Sequence, residues 1–211
     1  MEPGRTNGGV VTSRGAVASL IVRAHGRTAH TGTGYKEGES AVRELAGKVE
    51  RIESLSAPEK GLIANVGIFR GGEARQVVPG TAEMHVDLRA PSDDEMRELL
   101  AQLQSILLRA ANPAVRILVE GGQTRPAFPR SPGVQDLHMR MAAVARDMRV
   151  SLAENHSAGG SDGSFTAALG IPTIDGLGPI SFEVCSRRER VVVRSVLERS
   201  ILLARSLMAL G

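Results

Sequence analysis

Tryptophan is missing from the 211 residues, which hold one tyrosine, four phenylalanines and a single cysteine. So few flat side chains argue against a nucleic-acid surface, which needs stacking platforms among clustered basic groups. The net charge of +3 comes from 26 Lys and Arg against 23 Asp and Glu and marks no basic patch. With Cys185 alone an intramolecular disulfide is excluded, which agrees with a reducing compartment. No run of about 18 or more apolar residues occurs. The start, Met1-Glu2-Pro3-Gly4-Arg5, has no apolar signal core. The expectation is a cytoplasmic protein that binds neither nucleic acid nor membrane. The five histidines (His25, His30, His85, His138, His156) show neither H-x-x-x-H nor H-E-x-x-H spacing, so no self-contained zinc motif is present.

What is there suffices for a core: 42% of residues are apolar. From Ala16 to Arg27 β-branched residues predict a strand, followed by a Gly-rich loop through His30 to Gly34. Glu39-Ser40 opens a helix with Ala41, Leu45, Val49 and Ile52 at helical spacing, and Pro58 ends it. Strands Leu62 to Phe69 and Gln76 to Arg89, joined by Arg70-Gly71-Gly72-Glu73, read as a hairpin. Ser92-Asp93-Asp94-Glu95 then starts a second helix, which Asn112-Pro113 terminates before a strand at Val115 to Val119. The order β-α-β-β-α-β predicts a ferredoxin-like α+β sandwich with both helices on one face of an antiparallel sheet.

Beyond it, Gly121 to Pro132 reads as a linker. A helix from Val134 to Met148, a short strand near Leu152 and the turn Ala158 to Gly163 follow. A last helix is predicted over Glu189 to Leu210, with Val192, Val196, Leu203 and Leu207 on one face. This is the pattern of part of an α/β layer with too few strands for an independent sheet, so a further segment is expected to complete it.

Several motifs in collinear order carry a resemblance. Glu2-Pro3-Gly4-Arg5 precedes Val11-Thr12-Ser13-Arg14-Gly15, and Gly26-Arg27-Thr28-Ala29-His30-Thr31-Gly32 forms a G-x-x-x-H-x-G loop. Asn65 to Gly72, Val77-Val78-Pro79 and Val86-Asp87-Leu88-Arg89 come next. Glu120-Gly121-Gly122 with Arg125-Pro126 and Gly159-Gly160-Ser161-Asp162-Gly163 complete the set. Together they resemble the dinuclear-zinc metallopeptidase family twenty, the group of glutamate carboxypeptidase, acetylornithine deacetylase and succinyl-diaminopimelate desuccinylase. The resemblance implies a residual catalytic-domain segment at 1–13, a dimerisation lid at 14–120 and the C-terminal part of the catalytic domain at 121–211.

In that family two zinc ions polarise an amide carbonyl and supply a hydroxide. The resemblance implies that most of their ligands lie before Met1. Glu2 matches a terminal carboxylate ligand. Cys185, in the stretch after Gly176-Leu177-Gly178-Pro179, takes the place of the family's last histidine ligand. A thiolate there would change charge and bond length, and the competing expectation for Cys185 is a buried small hydrophobe. His30 is implied to contact the carbonyl or oxyanion from the lid of the opposite subunit. Arg89 and Arg125 are implied to lie near the substrate carboxylate, and Gly160 and Gln76, the latter where the family has Asn, to lie near its other polar groups. Asp162 is expected to fix the Gly-rich turn through backbone hydrogen bonds.

The resulting expectation is a truncated homologue of a zinc-dependent hydrolase of N-acyl amino acids or small peptides, inactive alone and homodimeric through the lid. Its rivals are a non-catalytic interaction module, and one half of a split or mis-started full-length hydrolase.

Overall fold

Alternation of side chains at period two dictates the largest sheet. In the computed structural model, which describes residues 2–210, the chain forms β1 (Val10–Arg14), β2 (Ala16–His25), β3 (Ala29–His30) and α1 (Ala41–Glu53). Then come β4 (Ile63–Gly71), β5 (Val77–Val78), β6 (Thr81–Ala90), α2 (Asp93–Leu108) and β7 (Arg116–Arg125). After these follow α3 (Pro132–Asp147), β8 (Glu154–Ser157), α4 (Gly163–Ala168), β9 (Ser181–Phe182), β10 (Arg190–Val191) and α5 (Val193–Leu210). Two compact units result. One is Ala16–Thr124, and the other joins the residues up to Gly15 to those from Arg125 onward.

In the inserted unit the strand order is β4-β6-β2-β7, with β6 antiparallel to both β2 and β4. The apolar set of β6, namely Ala82, Met84, Val86, Leu88 and Ala90, is buried beside Ala18, Leu20, Val22 and Ala24 of β2. That face is covered by α1 through Leu45 and Ile52 and by α2 through Met96, Leu99 and Leu103. Burying each of these larger side chains contributes about 1.5–3 kcal/mol. The expected βαββαβ sandwich is therefore the observed fold of this unit. Both helices start at serine caps: Ser40 Oγ accepts the Arg43 N–H, and Ser92 Oγ accepts the Glu95 N–H while donating to the Glu95 carboxylate. The end of α2 is held from α1. Lys48 Nζ donates to the carbonyls of Ile106 and Arg109, and Glu44 accepts the N–H groups of Ala111 and Asn112.

One expectation needs correction in detail. Val77-Val78 do not continue the hairpin; β5 pairs with β3 as a separate two-stranded ribbon. Leaving the main sheet lets these residues close the Gly-rich loop that carries His30.

In the second unit β1 runs parallel to β8 and is bridged on its other side by Asp175 and Phe128. Val10, Met141, Ala145, Leu152 and Leu202 form its core. The stretch predicted as a linker is more ordered than that: β7 continues to Arg125, and Phe128 pairs with Arg14. The last helix begins at Val193, because Arg190–Val191 pair with β9 instead. The helix turns Ser195, Arg199, Leu202 and Ser206 inward and leaves Val193, Val196, Leu197, Leu207 and Met208 exposed. The inward side is held by polar contacts: Ser195 Oγ accepts the Ile180 N–H, and Arg199 donates to the carbonyls of Gly8 and Gly9. Among the described residues no helix is long and apolar enough to cross a membrane.

Candidate functional site

Each unit carries part of the predicted set. In the inserted unit, Thr31 donates both its N–H and its hydroxyl to the Gln76 carbonyl, at 2.9 and 3.1 Å, so the ribbon of β3 and β5 brings the His30 and Gln76 segments together. The exposed His30 ring accepts the Gly32 N–H at Nδ1, 3.1 Å away. In the neutral ring this leaves the proton on Nε2, the form that can donate to a developing oxyanion. Arg89 lies elsewhere on the sheet, opposite Val17 and Ile63, and its guanidinium grips Asp87 through contacts of 2.7 and 2.9 Å. Two residues apart on one strand, these side chains share a face.

In the second unit a cleft of about 470 Å³ is lined by Glu2, Arg14, Gly160, Ser181 and Cys185 among others. Three predicted residues, Glu2, Gly160 and Cys185, thus share one concavity. Cys185 is exposed, which overturns the expectation of a buried small hydrophobe. It lies in a tight turn with φ of 62°, and its N–H donates to the Glu189 carboxylate at 3.0 Å. Arg125 lies apart from the lining. Its guanidinium donates to Asp162 Oδ1 at 3.1 Å and covers the Phe165 ring at 5.0 Å. Asp162 occupies the cap position of α4 yet makes no capping bond with its side chain, so the expectation that it fixes the Gly-rich turn is corrected.

Arg14 escaped the sequence reading. It is 5% exposed, donates to Asp175 Oδ2 at 2.9 Å and to the Gly159 carbonyl at 2.7 Å, and thereby ties the turn that carries Gly160 to the floor of the cleft. The available signal was a lone arginine ending the apolar strand Val10–Arg14. Phe165 beneath Arg125 had none.

The donor set can be tested for a metal. Among the described residues no three His, Cys, Asp or Glu side chains converge as a metal-holding group. Glu2, Glu183 and Cys185 line the same cleft, but Glu183 is taken up by Arg188 and Arg190 and the three do not converge as the set of at least three ligands that a zinc centre takes. The residues of this chain by themselves do not fit the group.

A βαββαβ domain inserted in sequence within an α/β unit that bears a Gly-rich cleft defines a class of two-unit α/β proteins with an inserted accessory domain. Residues 12–115 match the peptidase dimerisation domain. It is 25% identical over 197 residues to carboxypeptidase G2 of Pseudomonas sp. (strain RS-16), covering 92% of this chain and 48% of that protein. It is 27% identical over 169 residues to the uncharacterized protein YqjE of Bacillus subtilis, covering 80% of this chain and 45% of that one. Among solved structures, aminopeptidase PepT from Bacillus cereus superposes with a TM-score of 0.78 at 22% identity, over 99% of this chain and 55% of that chain. This last likeness is one of fold. The chain spans about half the length of the curated relatives it matches.

Proposed function

We propose that the chain contributes the lid, residues 14–120, and catalytic-domain segments, 1–13 and 121–211, of a zinc-dependent amidohydrolase or carboxypeptidase. The reaction is hydrolysis of the amide bond of an N-acyl amino acid or small peptide with a free carboxylate. The observation that carries this reading is the shared cleft of Glu2, Gly160 and Cys185, three positions far apart in sequence. His30 donates to the carbonyl or oxyanion from the lid of a second copy. Arg125 and Arg89 receive the substrate carboxylate, and Gln76 and Gly160 contact its remaining polar groups. Zinc is the family's metal. Glu2 and Cys185 stand at the family's ligand positions, and with no converging set of three donors among the described residues the 211 residues do not turn over substrate by themselves.

The test is a chimera with the upstream segment of a relative fused before Glu2, assayed on N-acetyl amino acids. The unfused chain is inactive, the chimera hydrolyses them, and Cys185→His raises the rate by restoring an imidazole. Turnover by the unfused chain, or a folded two-zinc chimera indifferent to Cys185→His, defeats the assignment.

A second reading, a dimerisation or interaction module without catalysis, is favoured by surface features. β4 and β7 are the sheet's edges, and a groove of about 400 Å³ lined by Leu100, Leu107, Leu108 and Val119 runs beside β7. The apolar side of α5 is a further face suited to a complementing segment. Sedimentation of the chain near 100 μM decides between association and a strict monomer.

A further inference from the structure

We infer that Asp162 is an internal stand-in for the substrate carboxylate at Arg125, and that Phe165 fixes the guanidinium for which the two compete. The inference rests on the reading of Arg125 as a carboxylate-binding group and goes beyond it in naming what occupies that group before substrate does.

An aspartate at the first turn of a helix ordinarily folds its carboxylate back onto the exposed N–H groups. Asp162 precedes α4 with a helical backbone (φ −69°, ψ −21°) in place of the extended one a capping residue uses, and makes no such bond. Its carboxylate accepts from Arg125 Nη2 at 3.1 Å instead. The Asp162 side chain is 90% exposed and that of Arg125 37% exposed, so solvent screens the pair and it contributes little to folding. A weak pair is easily displaced. An incoming carboxylate that takes two parallel N–H bonds from the guanidinium outcompetes it, because bidentate charge-assisted bonds are among the stronger hydrogen bonds.

The Phe165 ring lies against the guanidinium at 5.0 Å, and attraction between cation and ring face holds that plane in place while the anion is exchanged. Asp162 and Phe165 lie three residues apart across the start of α4, so one short element supplies both the competitor and the platform. A selectivity follows. A ligand ending in a carboxylate replaces the pair it breaks, whereas one ending in a carboxamide leaves Asp162 in place. Asp162 and Phe165 are therefore positioning residues that act through Arg125.

The test titrates the complete 211-residue chain with N-acetylglycine, using N-acetylglycinamide as the neutral control, and follows the side-chain Nε–H resonance of Arg125 by NMR. Asp162→Asn should tighten N-acetylglycine about two- to five-fold, the range a screened surface pair can contribute, and leave the amide control unchanged. Phe165→Leu should weaken N-acetylglycine and broaden the Arg125 resonance, with Phe165→Tyr restoring both. Equal or weaker binding by Asp162→Asn, with Arg125→Ala still abolishing binding, overturns the stand-in and leaves the role of Arg125 intact. Binding by Arg125→Ala equal to that of the unaltered chain defeats the carboxylate role itself. Absence of binding by every form defeats both.

Discussion

Lys48 offers a demanding test of how the inserted unit is held together, because its ammonium and the Glu44 carboxylate are both sealed from water at 2% and 3% exposure. Lys48 Nζ lies 3.2 Å from Glu44 and donates to the Ile106 and Arg109 carbonyls at 3.1 and 2.6 Å, while Glu44 accepts the N–H groups of Ala111 and Asn112 at 3.1 and 3.0 Å. Lys48→Met keeps most of the apolar stem but strands a buried carboxylate and two carbonyls at the end of α2. Breaking a buried pair from one side costs about 3–5 kcal/mol. The two N–H donors that remain on Glu44 put the expected loss near the lower end, about 3 kcal/mol. The double change Glu44→Gln with Lys48→Met should lose less than the sum of its singles, because no lone charge is left buried. By contrast, Arg97→Ala removes a pair whose partners are 69% and 79% exposed and should cost under about 0.5 kcal/mol. Urea unfolding followed by Tyr35 emission reads this unit alone, since Tyr35 is the only tyrosine and tryptophan is absent. A loss below about 1 kcal/mol for Lys48→Met, or strict additivity in the double variant, would refute the account.

Other outcomes are equally open to measurement. Gly121 has φ of +103°, and a Cβ there would lie 2.2 Å from the Ser19 carbonyl oxygen, so Gly121→Ala should destabilise the inserted unit by about 3 kcal/mol in the same titration. Gly47, in α1 with open space around its Cα, should instead gain about 0.5–1 kcal/mol on change to Ala. In the second unit the Arg130 guanidinium, bonded to both oxygens of Glu154, holds that carboxyl at about 2, against the opposing effect of burial and with help from Thr12 and His138. Because the folded value is depressed, the resulting stability is present above the ordinary carboxylate value of 4.5 and is lost as pH falls from there toward 2. Calorimetry across that window should show a contribution on the order of 1 kcal/mol that Glu154→Gln removes. Metal analysis after dialysis with zinc should find fewer than two tightly held equivalents per chain; two retained equivalents would defeat the reading of the donor set.

Much of the inserted unit could be read from the chain because its determinants are local. The period-two pattern Ala82, Met84, Val86, Leu88, Ala90 admits one buried face, and Ser40 and Ser92 mark helix starts by chemistry that acts within three residues. The Gly-rich turn at 159–163 was legible for the same reason. The sequence by itself thus determined the βαββαβ order and the character of its loops. What only the tertiary structure decided is where distant groups meet. The ribbon that brings Gln76 to the His30 loop depends on Val77-Val78 leaving a hairpin they would suit on propensity alone. Burial of Arg14 depends on Asp175 and Gly159, more than 140 residues away. Which side of α5 faces inward is set by Ser195 and Arg199, which find partners at Ile180, Gly8 and Gly9 that no helical wheel contains. Local pattern fixes which elements form; the pairing of polar groups across the fold fixes which way they face.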